Sequence, residues 1–319
     1  MLIEVRNLKS YFFLDEGILK AVDDVSFVIN EREAVALVGE SGCGKTIVAL
    51  SLLRLIPSPG RIVDGQILFN GEDLRTMDAE HMRQVRGRHI GLVFQEPGVA
   101  LNPVYTVGNQ IAEVLRLHRG LTRHEARAEA VQLLGDVGIA DPEQRAKAYP
   151  FELSGGMQQR ALIATAIAGR PELLIADEPT TALDPTVQAE ILDLLRHLQD
   201  EYNMALLLIT HDIGVVAEMA DRVMVMYTGK IVETADVHTL FQDPRHPYTQ
   251  GLLRSAPQLG VGRGEPLRGI PGTVPDFLEL PEGCTFHPRC GLADDECVSS
   301  FPPTRDIAPG RQCACYKVS

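Results

Sequence analysis

Gly39-Glu-Ser-Gly-Cys-Gly-Lys-Thr46 decides the fold. It has the G-x-x-x-x-G-K-[ST] spacing, follows the short apolar run Ala34–Val38 and opens a helical pattern. Glycines let backbone N–H groups curl around phosphate oxygens, and a helix start adds a favourable dipole. Ser41, Gly42, Cys43 and Gly44 form the floor of such a cradle. Lys45 is placed to reach β- and γ-phosphates, and the Thr46 hydroxyl to ligate Mg²⁺. Cys43 reads more simply as a small filler than as a redox thiol. An apolar run of this length suits a buried parallel strand. Val48, Leu52 and Leu55 give a helical period over Thr46–Ile56, which Pro57 stops.

Working outward, Leu2–Val5 and Leu19–Ile29 read as strands before the loop, and His89–Phe94 as one after it. Residues 97–150 carry long helical patterns and few strand signals. Thr122-Arg-His-Glu125 is a capping box for a helix running to about Leu134. A helical subdomain inserted at about residues 97–170 is the reading. The alternation then returns. Ser154 caps a helix ending near Gly169, and Leu173–Ala176 is a strand. Asp184-Pro185 opens a helix with Val187, Ile191, Leu194 and Leu198 on one face, and Ala205–Thr210 and Arg222–Tyr227 are strands. This is an α/β chain with a largely parallel sheet and right-handed crossovers. After about residue 256 proline and glycine become frequent and periodicity fades, so domains are expected at 1–256 and 257–319.

Leu173-Leu-Ile-Ala-Asp-Glu178 is an apolar strand ending in two carboxylates. Neighbouring strand residues point to opposite sides, so the two acids have different tasks. Asp177 suits Mg²⁺, and Glu178 suits the general base facing the attacking water. Gln95 has an amide that can touch both metal and γ-phosphate, and His211 can donate to the γ-phosphate. Both follow strands, on the side where open α/β sheets bind ligands. Leu153-Ser-Gly-Gly-Met-Gln158 places Ser154, Gly155 and Gly156 at a helix start, an anion site without a lysine. One chain rarely needs two phosphate cradles for one nucleotide, so a second subunit's nucleotide is the natural occupant.

The chain has 319 residues, 45% hydrophobic and 23% charged, as in soluble globular proteins. No apolar run approaches the ~20 residues that span a bilayer, and the N-terminus lacks a secretory signal pattern. A net charge of −13 argues against nucleic acid or anionic lipid as a broad partner. Five of six cysteines fall between Cys284 and Cys315, in a compartment that disfavours structural disulfides.

These residues resemble ABC transporter ATPases. Gly39–Thr46 is similar to Walker A, Gln95 to the Q-loop, Leu153–Gln158 to the signature motif, Leu173–Glu178 to Walker B, Ala182-Leu-Asp184 to the D-loop and His211 to the switch histidine. The resemblance implies a P-loop NTPase core with an antiparallel β-subdomain, and a head-to-tail dimer sandwiching two ATP. Each nucleotide would lie between Walker A of one subunit and Ser154–Gly156 of the other, with Gln158 and Asp184 among the binding residues. An aromatic near the adenine is implied, and Phe12 matches best, with Tyr11 close behind.

Phe94-Gln-Glu-Pro97, Leu101-Asn-Pro103, His246-Pro-Tyr-Thr249, Ile270-Pro-Gly272 and Gly283-Cys-Thr-Phe-His-Pro-Arg-Cys290 resemble the oligopeptide, dipeptide and nickel importers. That implies two permease subunits, a second related or identical ATPase, an external solute-binding protein and a place on the cytoplasmic face of the membrane. Import of nickel or oligosaccharide, or a soluble non-transport ABC ATPase, are the alternatives. Cys284-x5-Cys290-x6-Cys297-x17-Cys315 is too widely spaced for a zinc finger. Four thiolates suit a [4Fe–4S] cluster, and the resemblance points the same way. Zinc or uncomplexed thiols stay open, and Cys313 is a fifth thiol outside the pattern.

Overall fold

Bulges in the first strand pair explain where period-two reading stops. In this computed structural model, which describes residues 1–255 and 269–318, Ile3–Leu14 and Gly17–Ile29 pair antiparallel from Ile3 opposite Ile29 to Leu14 opposite Gly17. Register shifts interrupt the pairing between Val5 and Leu8 and between Ser10 and Phe12, and each bulge resets which face a side chain takes. The alternation expected to end at Val5 therefore continues, in broken form, for another nine residues. The expected domain boundary at 256–257 lies outside the described residues.

The chain divides into two units. The first comprises Met1–Ile29, Ala34–Arg75 and Ile209–Ser319. It contains a four-stranded antiparallel sheet in the order Gly17–Ile29, Ile3–Leu14, Gly60–Phe69, Glu72–Asp73. It also contains the run Ala34–Val38, fully buried and parallel to Arg222–Tyr227. Lys230–Asp236 continues that sheet antiparallel, followed by Arg311–Cys313 and Arg305–Ala308. The last two strands were not expected, because a three- or four-residue polar strand has no period of its own and forms on an existing edge. The helix after the phosphate-type loop is Lys45–Leu52, shorter than the expected Thr46–Ile56. Arg54 turns left-handed at φ 52° and its guanidinium donates to the Leu74 carbonyl, so the helix ends before Pro57 acts.

The second unit comprises Asn30–Glu33 and Thr76–Leu208. Ile90–Val93 and Leu173–Asp177 are parallel neighbours, and Ala205–Thr210 starts beside them. The helices Val107–Arg119, Arg123–Asp136, Gly155–Ile167 and Pro185–Tyr202 supply the helical pattern read from the sequence. Thr122 and Glu125 form the expected reciprocal cap. Pro185–Tyr202 buries Ile191, Leu194, Leu195 and Leu198 on one face. Among the described residues no helix is long and apolar enough to cross a membrane.

Candidate nucleotide site

The loop Gly39–Lys45 is held by close approaches that only glycine permits. A Cβ on Gly39 would stand 2.2 Å from the Met226 carbonyl oxygen, and one on Gly44, at φ 107°, 2.2 Å from that of Ala21. Cys43 is wholly buried beneath the loop, and burial pushes its thiol up. Its side chain is thus the filler expected, and only its backbone can face a ligand. Ser41, Gly42 and Thr46 are exposed. Lys45 is 4% exposed and its ammonium donates to the carbonyls of Gly39 (2.9 Å) and Glu40 (3.1 Å). It makes no ion pair among the described residues, so a buried cation sits amid carbonyl oxygens. That imbalance favours an anion such as phosphate.

In the second unit, the strand Leu173–Asp177 delivers Asp177, 4% exposed, to its C-terminal end. Glu178 follows at φ 47°, a left-handed conformation rare for glutamate. The turn aims its carboxylate at two donors. Gln95 Nε2 and Thr181 Oγ1 each lie 2.9 Å from Oε2. Gln95, read from the sequence as a contact to metal and γ-phosphate, and Glu178, read as the general base, are therefore brought together. Thr181 was missed, since a lone threonine after two acids carries no spacing signal.

Ser154 caps Gly155–Ile167 by accepting from the Met157 N–H at 3.4 Å, as expected. Ser154 and Gly155 are exposed. A Cβ on Gly156 would meet Val187 at 2.9 Å. The Gln158 amide is turned inward, donating to the carbonyls of Pro150 and Leu153, where it braces the turn before the helix. Asp184 caps Pro185–Tyr202 by accepting from the N–H groups of Thr186 and Val187, both at 3.1 Å. In the first unit, exposed His211 ends the strand Ala205–Thr210. Phe12 is half-buried opposite Gly60, where a Cβ would stand 2.6 Å from its ring. Tyr11 donates to Asp23 at 2.6 Å.

Cys284, Cys290, Cys297 and Cys315 line one narrow cavity, together with His246, Phe286, His287 and Tyr316. Burial pushes the Cys284 thiol up to about 11. Cys313 does not line the cavity; it is wholly buried on a strand opposite Glu233, in the same buried cluster as Cys315. Among the described residues no three Cys, His, Asp or Glu side chains stand close enough to share a single metal ion.

A family profile described as ABC transporter matches residues 22–181, and one described as the C-terminal region of oligopeptide/dipeptide transporters matches residues 232–297. The chain belongs to the ABC transporter family. Among its relatives, the dipeptide transport ATP-binding protein DppD of Escherichia coli K12 is 46% identical over 99% of this chain and 96% of its own length. A Brucella melitensis protein provisionally named a peptide import ATP-binding protein is 51% identical over 96% of this chain and 94% of its own. A dimeric ABC transporter cassette from a solved bacterial structure matches with a TM-score of 0.67 and 28% identity, covering 74% of this chain and 99% of that one.

Proposed function

We propose that this chain is the ATP-hydrolysing subunit of an ABC importer of peptides. The observation that carries the reading is similarity along nearly the whole chain, 46% to 51%, to relatives named for dipeptide or peptide import. ATP and Mg²⁺ supply the hydrolysable phosphoanhydride and its charge neutralisation. In this reading Ser41–Thr46 bind the phosphates and Thr46, Gln95 and Asp177 hold Mg²⁺. Glu178 accepts the proton of the attacking water, and His211 steadies the γ-phosphate. Ser154–Gly156 serve the nucleotide of a partner ATPase in a head-to-tail dimer. That assignment is consistent with the dimeric cassette among the structural relatives.

The chain works at the cytoplasmic face against two permease subunits, which an external solute-binding protein supplies with cargo. Phe94, Val99, Val104, Tyr105 and Phe151 are exposed, with Phe151 stacked on Tyr149 at 5.6 Å. Apolar side chains left in water in this number suit a protein partner. The test is reconstitution with permeases in liposomes. ATP-dependent uptake of di- or oligopeptides is expected. Uptake of nickel or oligosaccharide in place of peptides would overturn the cargo, and no ATP turnover would overturn the whole reading.

The four cysteines that line one cavity are the reading's ligands for a [4Fe–4S] cluster. A cluster takes one thiolate at each of four irons. Bound there, it would tie together stretches with little core of their own. Iron and sulfide of about four each per chain, in protein purified without oxygen, is the expected result. Zinc or no metal would overturn it.

A further inference from the structure

Two motifs that the ATPase reading leaves without a task, His246-Pro-Tyr-Thr249 and Gly283–Cys290, converge on one residue of the phosphate loop. Glu40 is held at each of its three polar handles. Its N–H donates to the Tyr248 hydroxyl at 2.8 Å. Its carbonyl accepts from Lys45 at 3.1 Å. Its carboxylate takes both ends of the Arg289 guanidinium, at 2.7 and 3.0 Å.

The holders are themselves fixed. Arg289 has a side chain 4% exposed and donates through Nε to the Pro271 carbonyl at 2.9 Å. Tyr248 is wholly buried. Phe286, three residues before Arg289, packs edge-on against Tyr227 at 5.3 Å and against Tyr248 at 5.4 Å. A planar bidentate pair with one partner buried is directional as well as strong. It also neutralises a carboxylate that would otherwise stand, uncompensated, in a loop built to receive polyphosphate.

We propose that Arg289 and Tyr248 are positioning residues for ATP, setting the loop's shape and cancelling the Glu40 charge, so that nucleotide affinity depends on the segment 270–290. The inference rests on the reading of Gly39–Thr46 as the ATP loop. The simpler alternative is that the pair only fastens that segment to the unit.

The experiment compares ATP affinity by titration, with kcat and KM, for wild type, Arg289→Met, Arg289→Lys, Tyr248→Phe and the double variant Arg289→Met/Glu40→Gln. The Arg289→Met Kd for ATP should rise about ten- to a hundredfold, a typical coupling between linked sites, with kcat within about threefold. Arg289→Lys keeps one charge and should fall between. The double variant removes the bare carboxylate and should regain most of the affinity. Tyr248→Phe, nearly isosteric, keeps the inference testable should Arg289→Met not fold, and should raise Kd severalfold.

A lower melting temperature with unchanged Kd in the folded variants would overturn the inference and leave the fastening role. A double variant as weak as the single one would overturn the charge argument. Wild-type chain that binds no ATP would instead overturn the ATPase reading itself.

Discussion

Replacing Glu178 with glutamine separates chemistry from structure, because of how the carboxylate is held. Gln95 and Thr181 both donate to the same oxygen, Oε2. A glutamine keeps both bonds through its carbonyl oxygen and puts its NH₂ where Oε1 stood. It tolerates the left-handed φ of 47° no worse than glutamate. A hydrogen bond to a charged acceptor is worth about 1.5–3 kcal/mol against about 0.5–1.5 for a neutral one. Glu178 is only half-buried, so solvent screening reduces that difference, and the fold should lose under about 2 kcal/mol. The amide cannot take a proton from water. General-base removal costs about 10²–10⁴ in rate, or about 3–5 kcal/mol of barrier. Phosphate release at saturating ATP should fall by that factor, while ATP affinity, measured by titration, stays within about twofold. Release within threefold of wild type would refute the assignment of the base. A loss of affinity that accounts for the rate would recast Glu178 as a binding residue.

Three further outcomes follow from named contacts. Gly44→Ala combines a φ of 107° with a 2.2 Å approach to the Ala21 carbonyl and should cost about 3 kcal/mol or more. Gly42→Ala, at φ 80° in open space, should cost about 1–2, and urea midpoints compare the two. For Asp23, burial alone would lift the carboxyl, but hydrogen bonds from Lys230 and Tyr11 outweigh it and hold it below the usual range. Its contribution is present above the unfolded value of about 3.9 and is lost as pH falls through the folded one. Between pH 5 and 3 the wild-type melting temperature should fall more steeply than that of Asp23→Asn. Cys290→Ser should abolish iron binding in anaerobically purified protein, and Cys313→Ser should leave it intact.

Local signals were legible where one stretch of chain holds all the partners. The caps at Thr122, Ser154 and Asp184 formed as read, since each needs only donors two or three residues away. The phosphate-type loop is likewise a property of eight consecutive residues. The bulged strand Ile3–Leu14 was half seen, because register shifts break the alternation that betrays a strand. Arg289 was visible only as a letter in a motif. Its partner Glu40 is 249 residues away, and no periodicity links them. Gln158 shows the converse. Its place in a recognised motif suggests a ligand contact, while its amide is spent on Pro150 and Leu153.

The short hairpin Arg305–Ala308 and Arg311–Cys313 lies along Lys230–Asp236. Without it, that strand would be an open edge, with Val232 and Ala235 buried beside a row of unsatisfied backbone groups. Such an edge recruits other chains and seeds aggregation. The hairpin replaces it with an outermost strand only four residues long, carrying Arg305 and Asp306. The tail is therefore a guard against self-association as well as a carrier of cysteines. A cassette shortened before Arg305 should precipitate more readily even with its phosphate loop intact, so loss of yield in such a truncation would report on sheet chemistry and not on ATP.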